Sequence, residues 1–140
     1  MSPTSTRFEP PISDGAKPFW DGTRDEQFLL PWCRSCHEFF WYPRELCPRC
    51  LSEDIEWRPA SGRATVYTCS IMPKPAHPSL ADRVPYVVAL VDLQEGPRLM
   101  TNIVNCDPGA VTIGMAVQLT WEALNDGRHL PVFEPSPKEG

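Results

Sequence analysis

Lysine is scarce in this sequence. There are three among 140 residues (Lys17, Lys74 and Lys138), and no stretch concentrates positive charge. Basic side chains number 13 against 18 acidic ones, so the formal charge is −5, the wrong sign for a protein that tracks nucleic-acid phosphates. Long apolar runs are missing too. The longest, Val84 to Val91, falls far short of the roughly 18 residues that a membrane helix needs, so no membrane span is expected. No apolar stretch follows a basic start, which speaks against an export signal and for a cytoplasmic chain. Histidines number three, and neither His77 nor His129 has both a carboxylate and a nucleophile beside it. No catalytic triad or cysteine–histidine pair can be assembled.

Two residue types are plentiful. Proline reaches 17 of 140, well above a usual share of about 5%, and it breaks helix interiors while marking turns and strand edges. An all-helical fold is therefore excluded. Residues 1–18 are rich in Pro, Ser and Thr and read as a flexible arm. A short helix is expected over Phe19–Gln27, followed by a cysteine-rich segment that ends with a strand over Ile55–Ala60. After the Ser61-Gly62-Arg63 hinge, alternation predicts five strands: Ala64–Met72, Tyr86–Leu93, Arg98–Val104, Ala116–Ala123 and His129–Phe133. Pro73–Arg83 reads as a loop. Five short strands with a central hairpin suit a Greek-key barrel of the OB type over residues 61–135, with 136–140 as a tail.

The six cysteines carry the strongest signal. Cys33-Arg34-Ser35-Cys36 and Cys47-Pro48-Arg49-Cys50 are two Cys-x2-Cys knuckles ten residues apart. Four soft thiolates suit tetrahedral zinc, and a closed four-sulfur shell leaves no position for water or substrate, so the metal is structural. Iron fits the same sulfur geometry and remains the alternative metal. Disulfides are not expected in a chain without an export signal. Cys33 to His37 also spells a c-type haem attachment pattern, but that reading leaves the second knuckle without a purpose. With four thiolates and one divalent ion counted, the −5 charge becomes −7, which tells further against nucleic acid. Cys69 and Cys106 read as buried small hydrophobes.

Several short motifs occur in a familiar order: Pro18-Phe19-Trp20, Tyr42-Pro43-Arg44 between the knuckles, Ser61 to Tyr67, Pro85 to Val91, Gly114 to Val117 and Leu130 to Phe133. Over residues 18–135 the chain resembles the acyl-CoA-associated OB-fold family with an N-terminal rubredoxin-like zinc ribbon. The resemblance implies a mostly β fold, with a short helix and ribbon over residues 19–60 and a five-stranded barrel over 61–135. It also implies an accessory subunit, without catalytic residues of its own, that docks on a thiolase-superfamily protein such as a thiolase, an acyltransferase or an aldolase of steroid side-chain degradation. There it would help shape the channel for an acyl-CoA. Some relatives are instead fused to acyl-CoA hydratase domains. Where the family has glycine after each knuckle, this sequence has His37 and Leu51, which places two side chains in left-handed backbone.

A partner and ligand surface is expected at the ribbon–barrel junction. The run Phe39-Phe40-Trp41-Tyr42 puts Phe39 and Trp41 on one face and Phe40 and Tyr42 on the other. A ribbon this small covers one pair, leaving the second for the barrel, a partner or an acyl chain. Arg44 and Arg63 flank the junction and suit CoA phosphates. The candidate surface is thus Phe40, Tyr42, Arg44, Arg63 and the loop around His77. The competing class of function is a single-stranded nucleic-acid-binding OB module, opposed by the acidic charge.

Overall fold

The computed structural model describes residues 10–75 and 78–137. A single 3-10 turn (Asp14–Ala16) leads into helix α1 (Lys17–Arg24), with Pro18 in its first turn, where a missing N–H costs nothing. The helix is shorter than the expected Phe19–Gln27. Gln27 N–H folds back onto the Gly22 carbonyl at 2.9 Å, and a side chain at Gly22 would meet Leu29 Cδ1 at 2.9 Å. Glycine here lets the following strand lie directly against the helix.

That strand, β1 (Leu29–Cys33), forms a sheet with β2 (Glu38–Phe39) and β3 (Ile55–Pro59) in the order β2-β1-β3. Pro31 lies mid-strand, which is why the sequence pattern does not announce β1. Its carbonyl accepts from Phe40 N–H at 3.1 Å on the side of the two-residue β2, so its missing donor falls where that short strand has already ended.

The barrel comprises β4 (Arg63–Met72), β5 (Tyr86–Leu93), β6 (Arg98–Ile103), β7 (Ala116–Ala123) and β8 (His129–Pro135). Its closed order is β4-β5-β6-β8-β7, with β7 returning to β4. The one parallel contact joins Ile103 of β6 to Phe133 of β8. Strict alternation along β5 puts Val87, Ala89, Val91 and Leu93 inside. Gly62 enters the barrel with φ +84° beneath Leu119, whose Cβ would lie 3.0 Å from any added side chain. Part of the expected Pro73–Arg83 loop, Pro78–Arg83, winds as a 3-10 turn.

Helix and ribbon are not appendages. Phe19, Trp20, Phe28 and Leu30 belong to the same buried cluster as Val66, Val91, Val117 and Phe133. Phe28 meets Trp121 and Phe133 edge-on, each at 6.4 Å between ring centres. The helix is tied to β8 by His129: its N–H donates to Thr23 Oγ1 at 3.2 Å, and its Nδ1 lies 2.7 Å from the Thr23 carbonyl, which requires the proton on that nitrogen. His129 is thus a packing residue, as its isolation in the sequence implies. Among the described residues no helix is long and apolar enough to cross a membrane.

Candidate metal centre and the ribbon–barrel junction

The two knuckles deliver their sulfurs to one point. Cys33 Sγ lies 3.6 Å from Cys50 Sγ and Cys36 Sγ 3.9 Å from Cys47 Sγ, with all four within 4.8 Å of one another. A tetrahedron with metal–sulfur bonds of about 2.3 Å has edges of about 3.8 Å, so the site fits a closed four-sulfur metal centre. All six cysteines are free thiols, with no disulfide among them.

Both knuckles are closed by the same bonds. His37 N–H donates to the Cys33 carbonyl at 2.7 Å, and Leu51 N–H to the Cys47 carbonyl at 2.8 Å. These turns need left-handed backbone, and His37 (φ +61°) and Leu51 (φ +63°) adopt it despite their side chains. Backbone donors also reach the sulfurs: Cys36 N–H lies 3.3 Å from Cys33 Sγ, and Arg49 N–H 3.4 Å from Cys47 Sγ. Burial pushes the Cys47 thiol up, but the backbone donors of Cys50 and Arg49, together with the thiols of Cys33 and Cys50, outweigh it and bring it down to about 7. Cys36 is pushed up to about 12, chiefly by its hydrogen bond with Cys50. Without metal, Cys36 and Cys47 therefore hold their protons very unequally.

The structure divides the expected docking surface. Phe40 is a correction: it is buried against Cys33 and Cys47 and contributes only an edge to the cleft between ribbon and barrel described below. Its neighbours Phe39 and Trp41 turn to the main core instead, Trp41 packing edge-on to Phe19 at 5.1 Å. Tyr42 is 58% exposed and stands at the end of an apolar groove of about 320 Å³ with Trp20, Met100, Leu130 and Pro131. Arg44 lies around the corner, beside Leu46, Pro48 and Leu51 of the second knuckle. Arg63 stands beside Gln118 on the neighbouring strand β7, and it lines neither the groove at Tyr42 nor the cleft at Arg44. His77 lies outside the described residues.

The other ribbon arginines are engaged within the ribbon. Arg34 bonds Asp54 and Glu56, each at 2.9 Å, and Arg49 bonds Glu38 at 2.9 Å. Glu56 is held below the usual carboxylate range by Arg34 and Arg58. A feature that sequence reasoning missed lies between ribbon and barrel. There Trp32, Phe39 and Trp41 face the β5–β6 turn, Glu95 to Arg98, across a cleft of about 610 Å³. The turn was legible as a turn, but nothing in the sequence says that it faces the aromatic run.

Comparison with known proteins identifies both the ribbon and the barrel. Residues 20–56 match the family described as "ChsH2, rubredoxin-like zinc ribbon domain", and residues 57–122 match "ChsH2, C-terminal OB-fold domain". A solved structure described as an "Ltp2-ChsH2(DUF35) aldolase" superposes with a TM-score of 0.81 at 35% identity, covering 91% of this chain and 98% of that one. A "DUF35 domain-containing scaffold protein" of Methanocaldococcus jannaschii is 34% identical over 95 residues, 67% of each chain. A "probable enoyl-CoA hydratase alpha subunit" of Thermomonospora curvata is 35% identical over 140 residues, and there the chain spans 43% of the relative's length.

Proposed function

The chain belongs to the ChsH2 (DUF35) family of rubredoxin-like zinc ribbons joined to OB-fold barrels, and on that premise we propose that it is a non-catalytic subunit of an enzyme acting on CoA thioesters. Its partner is a thiolase-like protein, an aldolase, thiolase or acyltransferase of steroid or lipid metabolism, and the ribbon–barrel unit helps to form the channel for the acyl-CoA. The observation that carries this reading is the likeness, over nearly the full length of both chains, to a ChsH2(DUF35) protein whose structure is described as an aldolase with Ltp2.

The site's chemistry supports an accessory role. Four thiolates close the coordination shell, so the metal, which we assign as zinc, supplies folding energy and no position for substrate. The residues holding it would be Cys33, Cys36, Cys47 and Cys50. The groove from Tyr42 to Leu130 and Pro131 gives the unit an apolar face suited to an acyl chain or a partner surface.

Affinity capture of the tagged chain from its own cells tests the reading. A thiolase-like protein should co-purify, and the pair should cleave or transfer an acyl-CoA that neither handles alone. Thioester hydrolysis or carbon–carbon cleavage by the pure chain would overturn it. Capture of a hydratase in place of the thiolase-like protein would reassign the partner.

A further inference from the structure

β6 and β8 run parallel and meet at one register pair, Ile103 with Phe133, where Val104 N–H donates to the Phe133 carbonyl at 2.8 Å. No register pair joins the two strands further back, towards Leu99 and Leu130, and the gap is spanned by Thr101 Oγ1 donating to the Pro131 carbonyl at 3.1 Å. Apolar side chains fill this stretch of the seam. The groove at Tyr42 runs on along it. A second cavity of about 260 Å³, reaching Tyr86, Val88 and Val132, shares Met100, Leu130 and Pro131 with the first.

The chemistry of this groove is one-sided. None of the described residues lining either part is charged, whereas the cleft at Arg44 and the cleft between ribbon and barrel both hold charged side chains. Thr101 and Asn102, which line the second part, are committed to the barrel, Thr101 to Pro131 and Asn102 Nδ2 to the Val87 carbonyl at 2.8 Å. A peptide laid there would strip water from its own N–H and C=O groups and gain nothing from those side chains. A phosphate would find no cation. A hydrocarbon chain has no polar group to satisfy, and every methylene it buries is favourable.

We propose that the β6–β8 seam holds the hydrocarbon part of the acyl group of a CoA thioester, laid from Tyr42 past Met100 to Tyr86. The proposal rests on reading the chain as a subunit for CoA thioesters, and it assigns to this protein the acyl end and not the nucleotide. Met100 sits where the two parts of the groove meet. It is 58% exposed, and its soft, unbranched side chain can mould to such a ligand.

The test uses the full metal-loaded chain and follows the methionine methyl groups by carbon–proton NMR, Met100 being assigned through Met100→Lys. The neutral probes are 1-hexanol, 1-heptanol and 1-octanol. Each should move the Met100 methyl to saturation, with affinity rising about fourfold per added methylene. Met115, which lines neither part, should stay in place. Octanoyl-CoA should move Met100 as octanol does, and CoA without an acyl group should not. Met100→Lys puts a charge at an exposed position, so it should weaken octanol binding in calorimetry about tenfold while metal content is kept. An unmoved Met100 overturns the proposal, as does an affinity independent of chain length or an equal response to CoA alone. If Met100→Lys instead abolishes capture of the partner, or dissociates a dimer in sedimentation, with no response to the alcohols, the groove belongs to the partner or to a second copy and the proposal falls. Co-purification of the thiolase-like partner without the alcohol series leaves the subunit reading standing and removes only the acyl groove. The alcohol series without co-purification does the reverse.

Discussion

Cys33 of the first knuckle meets Cys50 of the second, 17 positions on, with 3.6 Å between their sulfurs. Cys36 and Cys47 make the complementary pair, so each knuckle contributes to both opposite edges of the tetrahedron. No single knuckle can hold the ion alone.

One tightly bound zinc per chain is therefore expected. Cys33→Ser should lose it and unfold the ribbon, because the folding energy that the metal supplies, on the order of 10 kcal/mol, goes with it. Metal analysis with thiol titration checks this; a folded chain without zinc or iron and with four reactive thiols would contradict it. Metal binding displaces thiol protons, so affinity should fall as pH falls, most visibly for the proton that Cys36 holds up to about 12.

Leu51 is 68% exposed, so its conformation can be tested with little loss of packing. At φ +63°, Leu51→Gly should be more stable than Leu51→Ala by about 1 kcal/mol, since alanine keeps the left-handed penalty and glycine does not. Chemical denaturation of the two variants measures the difference.

Phe28 fills the space between α1 and the barrel. Phe28→Ala should cost about 3–5 kcal/mol through the cavity left against Trp121 and Phe133. Ribbon and barrel should then unfold together in calorimetry.

Acid should act partly through Glu56. Its carboxyl titrates lower in the fold than in the open chain, so its contribution is full above the unfolded value, about pH 4.3, and disappears as pH falls through the lower folded value. The melting temperatures of the parent and Glu56→Gln should differ at pH 7 and converge as the pH is lowered through the folded-state titration.

Tyr42→Ala should weaken association with the partner or retention of acyl-CoA about tenfold, with zinc content and melting unchanged. Arg44→Ala serves as a second probe from the neighbouring knuckle face. Unchanged binding in both would move the working surface elsewhere on the barrel.

The five barrel strands were legible because half-buried strands alternate, and β5 and β7 match their expected bounds to the residue. The metal ligands were legible because their spacing is itself the chemistry. β1 was hidden by Pro31, which costs nothing beside a two-residue neighbour. Phe40 was misplaced because strand alternation gives the two faces but not which one holds the metal. Glu95 was out of reach for a different reason: its place opposite Trp41 depends on how the ribbon docks on the barrel, and no local pattern encodes that.

The shared core has a consequence for how such units can be moved between proteins. A cut near residue 57 looks natural in the sequence, yet Phe19, Trp20, Phe28 and Leu30 seal the barrel from one side of it while Val66 and Phe133 receive them from the other. Neither half would keep its interior dry after separation. Grafting onto a new host protein would have to carry both halves as one piece, as in the longer Thermomonospora curvata relative, where the match takes in 99% of this chain.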